Sequence, residues 1–322
     1  MLIPILLLIA GLTILIFGAN YMVEGASALA KKFNISNLAI GLTVVAFGTS
    51  APELVVNTFA AVQGHQDIVF GNVLGSNNFN LFIILGITGL ITPLVVQSST
   101  AWKEIPISFI ATLVLFFLVN DGLISNSESS VLGRIDGAIL LIFFGLFLFY
   151  VHKQLKNDPS ETGEFIEVPT LTNLKMGIYI IAGLGGLIYG GHLVVNNAIL
   201  LAQSFGISQK IIGLTVVAAG TSLPELATSV VAALKRNADI AVGNIVGSNI
   251  FNIFLILGAS SMLKPIGFDP NFNMDIYVLA GGTIFLILAM FTGKRRILDR
   301  WESLVLLLFY LGYTTYLVVQ EL

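Results

Sequence analysis

Two stretches, GLTVVAFGTSAPEL at 41–54 and GLTVVAAGTSLPEL at 213–226, repeat one another at an offset of 172 residues. The register holds beyond them: DIVFGNVLGSNNFNLFIILG at 67–86 matches DIAVGNIVGSNIFNIFLILG at 239–258. From 40 to 86 it never slips, with 28 identities in 47 positions. Weaker echoes run back through Gly11/Gly183 and Gly18/Gly190 and forward to Pro93/Pro265. A repeat of this length sets the architecture, so the rest of the chain is read around it.

The solvent of that architecture is a bilayer. Of 322 residues, 56% are hydrophobic and 10% charged, with a mean hydropathy of +0.93, whereas a soluble domain carries about 25% charge. Disordered, nucleic-acid-binding and secreted disulfide-framework classes are excluded. With no cysteine, neither a disulfide nor a thiolate metal site can form. The N-terminal run has no basic leader and is long enough to span, so it reads as a first transmembrane segment.

Runs of about 20 apolar residues mark spans. They fall near 2–24, 38–63, 69–92, 104–120, 134–152, 175–200, 210–234, 240–263, 274–292 and 301–320. The expected fold is an all-α membrane protein of ten transmembrane helices. A first five-helix repeat occupies 1–152, a polar linker 153–174 and a second five-helix repeat 175–322. With ten spans, 12 of the 15 Lys and Arg residues fall on one side, and only Arg134, Lys210 and Lys264 on the other. The positive-inside rule then predicts N-out/C-out, with the linker in the cytoplasm. Because each repeat has an odd number of spans, the second enters the membrane from the opposite side. Inverted repeats are characteristic of secondary transporters.

The most similar stretch is also the most polar. Glu53 and Glu225 sit mid-span, where an acid costs about 2.5–3.5 kcal/mol on insertion scales. Symmetric acids at that depth point to an ion or proton path, against the plainer reading of structural acids bonded to neighbours. Pro52 and Pro224 have no N–H to offer the carbonyls four residues back, and such freed oxygens can bind a cation. Thr49 and Ser50 lie one helical turn before Glu53, as Thr221 and Ser222 do before Glu225. In the following spans, Asn72, Ser76 and Asn80 share a face, as do Asn244, Ser248 and Asn252. Small-residue packing explains the neighbouring glycines, and interhelical amide bonds suit Asn77 and Asn249. Together these groups form an all-oxygen cage of the kind hard cations prefer. His192 reads as a locally bonded side chain, Glu24 as a snorkelling acid, Asp67 and Asp239 as solvated groups, and Trp102 and Trp301 as interfacial anchors.

At these residues the sequence resembles the calcium/cation antiporter superfamily, prokaryotic sodium/calcium exchanger branch. GTSAPE and GTSLPE resemble its two repeat motifs, and GSNNFN and GSNIFN their partners. The resemblance implies an ion-binding core of spans 2, 3, 7 and 8, with spans 1 and 6 sliding across it. It implies Glu53 and Glu225 as acidic ligands with Thr49 and Thr221 beside them. Ser50, Ser76, Ser222 and Ser248 would line sodium sites together with the carbonyls of Ala46 and Ala218, and Asn80 and Asn252 would form the polar pair. Some relatives carry an aspartate at one of those last two positions. Here both are Asn, which leaves a core charge of −2, sufficient for one Ca²⁺.

The expected function is secondary active antiport of Ca²⁺ for Na⁺ by alternating access, in the cell (inner or plasma) membrane. The partners would be inorganic cations and the lipid bilayer, with no cofactor, no nucleic acid and no obligate protein partner. A Ca²⁺/H⁺ or K⁺-dependent exchanger is the alternative. Two carboxylates about 6 Å apart at an effective dielectric of ~20 repel by roughly 2.8 kcal/mol, so protons compete with cations either way. A passive cation channel would need a continuous polar path, but polarity is concentrated mid-membrane. A membrane enzyme would need a nucleophile–base pair or a metal-binding histidine motif, and neither is read.

Overall fold

In hydrocarbon the backbone must satisfy its own polar groups, so apolar runs of spanning length become helices. The computed structural model describes residues 2–33, 35–120, 130–157, 171–205, 218–292 and 296–320. Its helices are α1 (Leu2–Phe33), α2 (Asn37–Thr49), α3 (Ala51–Gln63), α4 (Gln66–Ile91), α5 (Thr100–Val119), α6 (Arg134–Asn157), α7 (Asn173–Ser204), α8 (Ala218–Thr221), α9 (Leu223–Leu234), α10 (Ala238–Leu263), α11 (Pro270–Ala289) and α12 (Arg300–Gln320). Among the described residues seven helices are long and apolar enough to cross a membrane, eight when the bent pair α2–α3 counts as one span. The start of the span expected at 210–234 lies outside the described residues, as does most of the expected linker; α6 and α7 each extend into the linker's ends.

α1 and α7 each have 32 residues, about 48 Å at 1.5 Å per residue. That exceeds a ~30 Å hydrocarbon layer, which a helix accommodates by tilting. They pack on each other through glycines. Gly18 lies against the backbone of Gly183, Gly186 and Leu187, Gly11 against Gly190, and Gly25 against Ile180. Partner numbers fall as α1 advances, so the two helices run antiparallel. A Cβ on Gly18 would stand 2.7 Å from Leu187 N and 2.9 Å from Gly183 O; only glycine permits that approach. The pair is peripheral, with 22% of each apolar window buried, whereas α4 is 72% and α10 94% buried. α4 and α10 are therefore the axis of the molecule. α2 lies alongside α10, Leu38 and Gly41 meeting Gly243, and Leu42 and Ala46 meeting Gly247. Here partner numbers rise together, so these two helices are parallel.

The helix bearing Glu53 is not continuous. Ser50 (φ −83°, ψ 6°) separates α2 from α3, which bend by 48°, and Ser222 (φ −88°, ψ 6°) separates α8 from α9. Pro52 and Pro224 fall in the first turn of the new helix, where a missing N–H costs nothing. Wide π-type turns interrupt the regular repeat at Gly41–Val45, Phe79–Ile84 and Phe251–Leu257, a feature frequent at functional sites. Outside the helices, two short antiparallel ribbons tie loops together, Leu94–Val95 to Ile297–Leu298 and Val131–Leu132 to Ile266–Gly267.

Candidate cation-binding site

The two helix breaks place Glu53 and Glu225 in the first turns of α3 and α9. There unpaired N–H groups and the helix dipole favour a negative charge. Both side chains are 1% exposed. Glu53 lies within electrostatic reach of Glu225 and beside Thr221 and Ser222; Glu225 lies beside Thr49, Ser50 and Ser248. Thr49 and Ser50 of the first repeat thus lie beside the acid of the second, and Thr221 and Ser222 of the second beside the acid of the first, whereas Ser248 lies beside the acid of its own repeat.

Hydrogen bonds show how these hydroxyls are aimed. Ser50 Oγ donates to Glu225 Oε1 at 2.9 Å and stands 3.0 Å from Ser248 Oγ, which is 3.5 Å from the same carboxylate oxygen. Thr49 Oγ1 donates to Asn244 Oδ1 at 3.0 Å, and Thr221 Oγ1 to Asn72 Oδ1 at 3.1 Å. A hydroxyl whose proton is given away keeps its lone pairs for another partner. Asn244 is held in turn by Ser229 Oγ (3.0 Å) and Glu225 O (3.4 Å). Asn80 Nδ2 donates to Asn249 Oδ1 at 3.1 Å, and Asn252 Nδ2 to Asn77 Oδ1 at 2.9 Å.

What remains unpaired is informative. Seven buried oxygens of expected ligands make no hydrogen bond: Glu53 Oε1 and Oε2, Glu225 Oε2, Ser76 Oγ, Ser222 Oγ, Asn80 Oδ1 and Asn252 Oδ1. Buried polar atoms are nearly always paired, and a buried carboxylate without a partner is costly. A cation is a partner this set of atoms fits: all are oxygens, they include both carboxylates, and their number matches the 6–8 oxygens a hard ion takes. Among the described residues no group of three or more His, Cys, Asp or Glu side chains converges.

The structure brings Thr49, Ser50, Glu53, Thr221, Ser222, Glu225 and Ser248 together across the two helix breaks, while Ser76, Asn80 and Asn252 are buried on the neighbouring helices α4 and α10. The Ala46 carbonyl accepts Ser50 N–H at 3.0 Å. Ala218 begins α8, and its side chain lies outside the described residues. Asn72 and Asn244 act as acceptors that orient the two threonines. Glu24, read as a snorkelling acid, pairs with Lys235 at 2.8 Å. Asp67 is exposed, but Asp239 accepts from Gln97 at 2.6 Å. His192 bonds Asn196 one turn away, at 2.9 Å. The sequence reading passed over Asn57 and Ser229, one turn past each glutamate. Asn57 Nδ2 holds Glu53 O at 2.7 Å and Ser229 holds Asn244. Their common offset of 172 was the available signal.

Comparison with known proteins bears on the family of the chain. The family described as sodium/calcium exchanger protein matches residues 3–153 and 175–319. The chain is 38% identical to the putative antiporter CaxA of Alkalimonas amylolytica, over 97% of this chain and 98% of that protein. It is 31% identical to the sodium/calcium exchanger MaX1 of Methanosarcina acetivorans, over 96% of each. Among solved structures it superposes on the sodium-calcium exchanger NCX_Mj soaked with zero Na⁺ and Ca²⁺ with a TM-score of 0.80 and 32% identity, covering 98% of this chain and 99% of that one.

Proposed function

The chain belongs to the sodium/calcium exchanger family, and on that premise we propose that it is a secondary active antiporter exchanging Ca²⁺ for Na⁺ by alternating access. The observation that carries this is a set of seven unpaired, buried oxygens, three from the two carboxylates and four from neutral side chains. Glu53 and Glu225 together supply −2, which one Ca²⁺ neutralises. Thr49, Thr221, Asn80 and Asn252 complete its shell with neutral oxygens. Na⁺ would use Ser50, Ser76, Ser222 and Ser248, with the Ala46 and Ala218 carbonyls, and would share the same two acids. Sharing enforces exchange, because the acids' charge cannot neutralise Ca²⁺ and a full set of Na⁺ together in a low dielectric.

The frame we propose is ten spans in two inverted halves, 1–152 and 175–322, joined by the linker 153–174, with both termini outside. Several packing features support it. Equivalent helices α1 and α7 run antiparallel, while α2 and α10 run parallel, as alternation through ten spans requires. The ribbons join 94–95 to 297–298 and 131–132 to 266–267, pairing loops that this count puts on the same side. Thr49–Asn244 mirrors Thr221–Asn72, and Asn80–Asn249 mirrors Asn252–Asn77, as a two-fold axis through the site would produce. The host is the cell membrane, inner or plasma. Inorganic cations and lipid are the partners, and no cofactor or obligate protein partner enters the scheme.

The test is ⁴⁵Ca²⁺ uptake into proteoliposomes under one imposed gradient at a time. An outward Na⁺ gradient drives Ca²⁺ above equilibrium. Accumulation that follows a proton gradient and ignores Na⁺ would establish the Ca²⁺/H⁺ alternative, a strict K⁺ requirement the K⁺-dependent one, and flux that only dissipates the Ca²⁺ gradient a channel.

A further inference from the structure

We propose that Asn77 and Asn249 are positioning residues that decide which end of the Asn80 and Asn252 amides faces the cation. This rests on the reading of Asn80 and Asn252 as ligands. A carboxamide has two ends of opposite character: the oxygen accepts and can ligate a cation, whereas the NH₂ group donates and repels one. Something must therefore fix the flip of a neutral amide ligand.

The fixing is a chain of constraints that ends on the backbone. Asn77 Nδ2 donates to the main-chain carbonyl of Asn249 at 3.2 Å. A carbonyl can only accept, so the NH₂ end of Asn77 must point there. Its Oδ1 is then turned to Asn252, where it accepts Nδ2 at 2.9 Å. That turns the NH₂ end of Asn252 toward Asn77 and leaves its Oδ1 buried and unpaired. The same sequence runs in the other direction. Asn249 Nδ2 lies 3.4 Å from Asn77 O, Asn249 Oδ1 accepts Asn80 Nδ2 at 3.1 Å, and Asn80 Oδ1 is left unpaired. Asn77 and Asn249 are 0% and 3% exposed, so water does not offer an alternative partner. Each helix of the central pair thus orients the ligand of the other.

Orientation has a signature that packing lacks. A carboxylate has no wrong end, so an Asp at position 80 needs no partner to turn it. Its second oxygen would instead face the Asn249 Oδ1 acceptor. The experiment is ⁴⁵Ca²⁺ binding to the full-length protein, with folding checked by gel filtration. Asn249→Leu should weaken Ca²⁺ about 10–100-fold, the usual cost of removing a group that orients a metal ligand. In an Asn80→Asp background the same Asn249→Leu change should cost nothing or tighten binding. Asn77→Leu with Asn252→Asp tests the mirror pair, and Asn249→Ala and Asn77→Ala replace Leu where its shape blocks assembly. Equal losses in both backgrounds would overturn the positioning role while leaving the proposed function intact. An Asn80→Ala variant that binds Ca²⁺ as the parent does would remove Asn80 from the ligand set, and the ligand assignment and the positioning role would fall together.

Discussion

Glu53 and Glu225 occupy equivalent positions with unequal surroundings. Glu225 Oε1 accepts from Ser50 at 2.9 Å, whereas neither oxygen of Glu53 is hydrogen-bonded. In the proposed site each balances half the charge of a divalent ion, and removing one of two buried compensating charges costs several kcal/mol. Glu53→Gln or Glu225→Gln should therefore abolish Ca²⁺ transport in proteoliposomes, while membrane insertion, followed by yield and gel filtration, persists. Full transport by either variant would remove these acids from the site. The acids were legible because carboxylates are rare at mid-span. Their hydroxyl partners were legible by type and position but not by destination. A spacing of four residues assigns Thr49 to Glu53, yet the bend at Ser50 turns Thr49 to Asn244 and Ser50 to Glu225, across the repeat.

At the level of elements, α1 and α7 meet by direct backbone contact along Gly11, Gly18, Gly183 and Gly190. A Cβ on Gly183 would stand 2.6 Å from Met22 N, with no flexible side chain to yield. Gly183→Val should separate the two helices at a cost of about 1–3 kcal/mol, the range for overpacking, and so lower the thermal midpoint. It should also slow exchange if the pair moves as one body against α4 and α10. Gly177→Ala on the same helix, where a Cβ meets nothing within 4 Å, should change the midpoint little. A Gly183→Val protein with the parent's midpoint would mean that the interface is not close-packed. These glycines were visible in the sequence only as a weak extension of the repeat. Their partners are about 170 positions away, beyond the reach of any local pattern.

For the whole molecule, the charge partition and the loop ribbons bear on one quantity, the side on which each loop lies. The lysine-bearing ends of α1 (Lys31, Lys32), α5 (Lys103) and α7 (Lys175) share a side in the proposed arrangement, and Lys32 Nζ donates to Asn173 Oδ1 where α1 ends and α7 begins. Trp102 and Trp301, both exposed, flank the 94–95/297–298 ribbon, as interfacial anchors would. In this cysteine-free chain, Lys175→Cys should react with a membrane-impermeant maleimide only after the cells are opened. Asn271→Cys, beside the other ribbon, should react in intact cells. The opposite pattern would invert the orientation.

The sequence by itself determined the solvent, the repeat and the chemical class of the centre. Apolar run length, residue identity at a fixed offset and charge at mid-span are properties of the chain taken locally. Only the tertiary structure decided where the helices break and which polar group answers which. Periodicity assumes an unbroken helix, and the bend at Ser50 and the wide turns at Phe79–Ile84 and Phe251–Leu257 reset its phase. A hydrogen bond between residues 149–198 positions apart, such as Thr221–Asn72 or Ser50–Ser248, exists only once two distant helices are in contact. Its geometry then settles what no residue identity can, which oxygens are used up inside the protein and which remain unpaired.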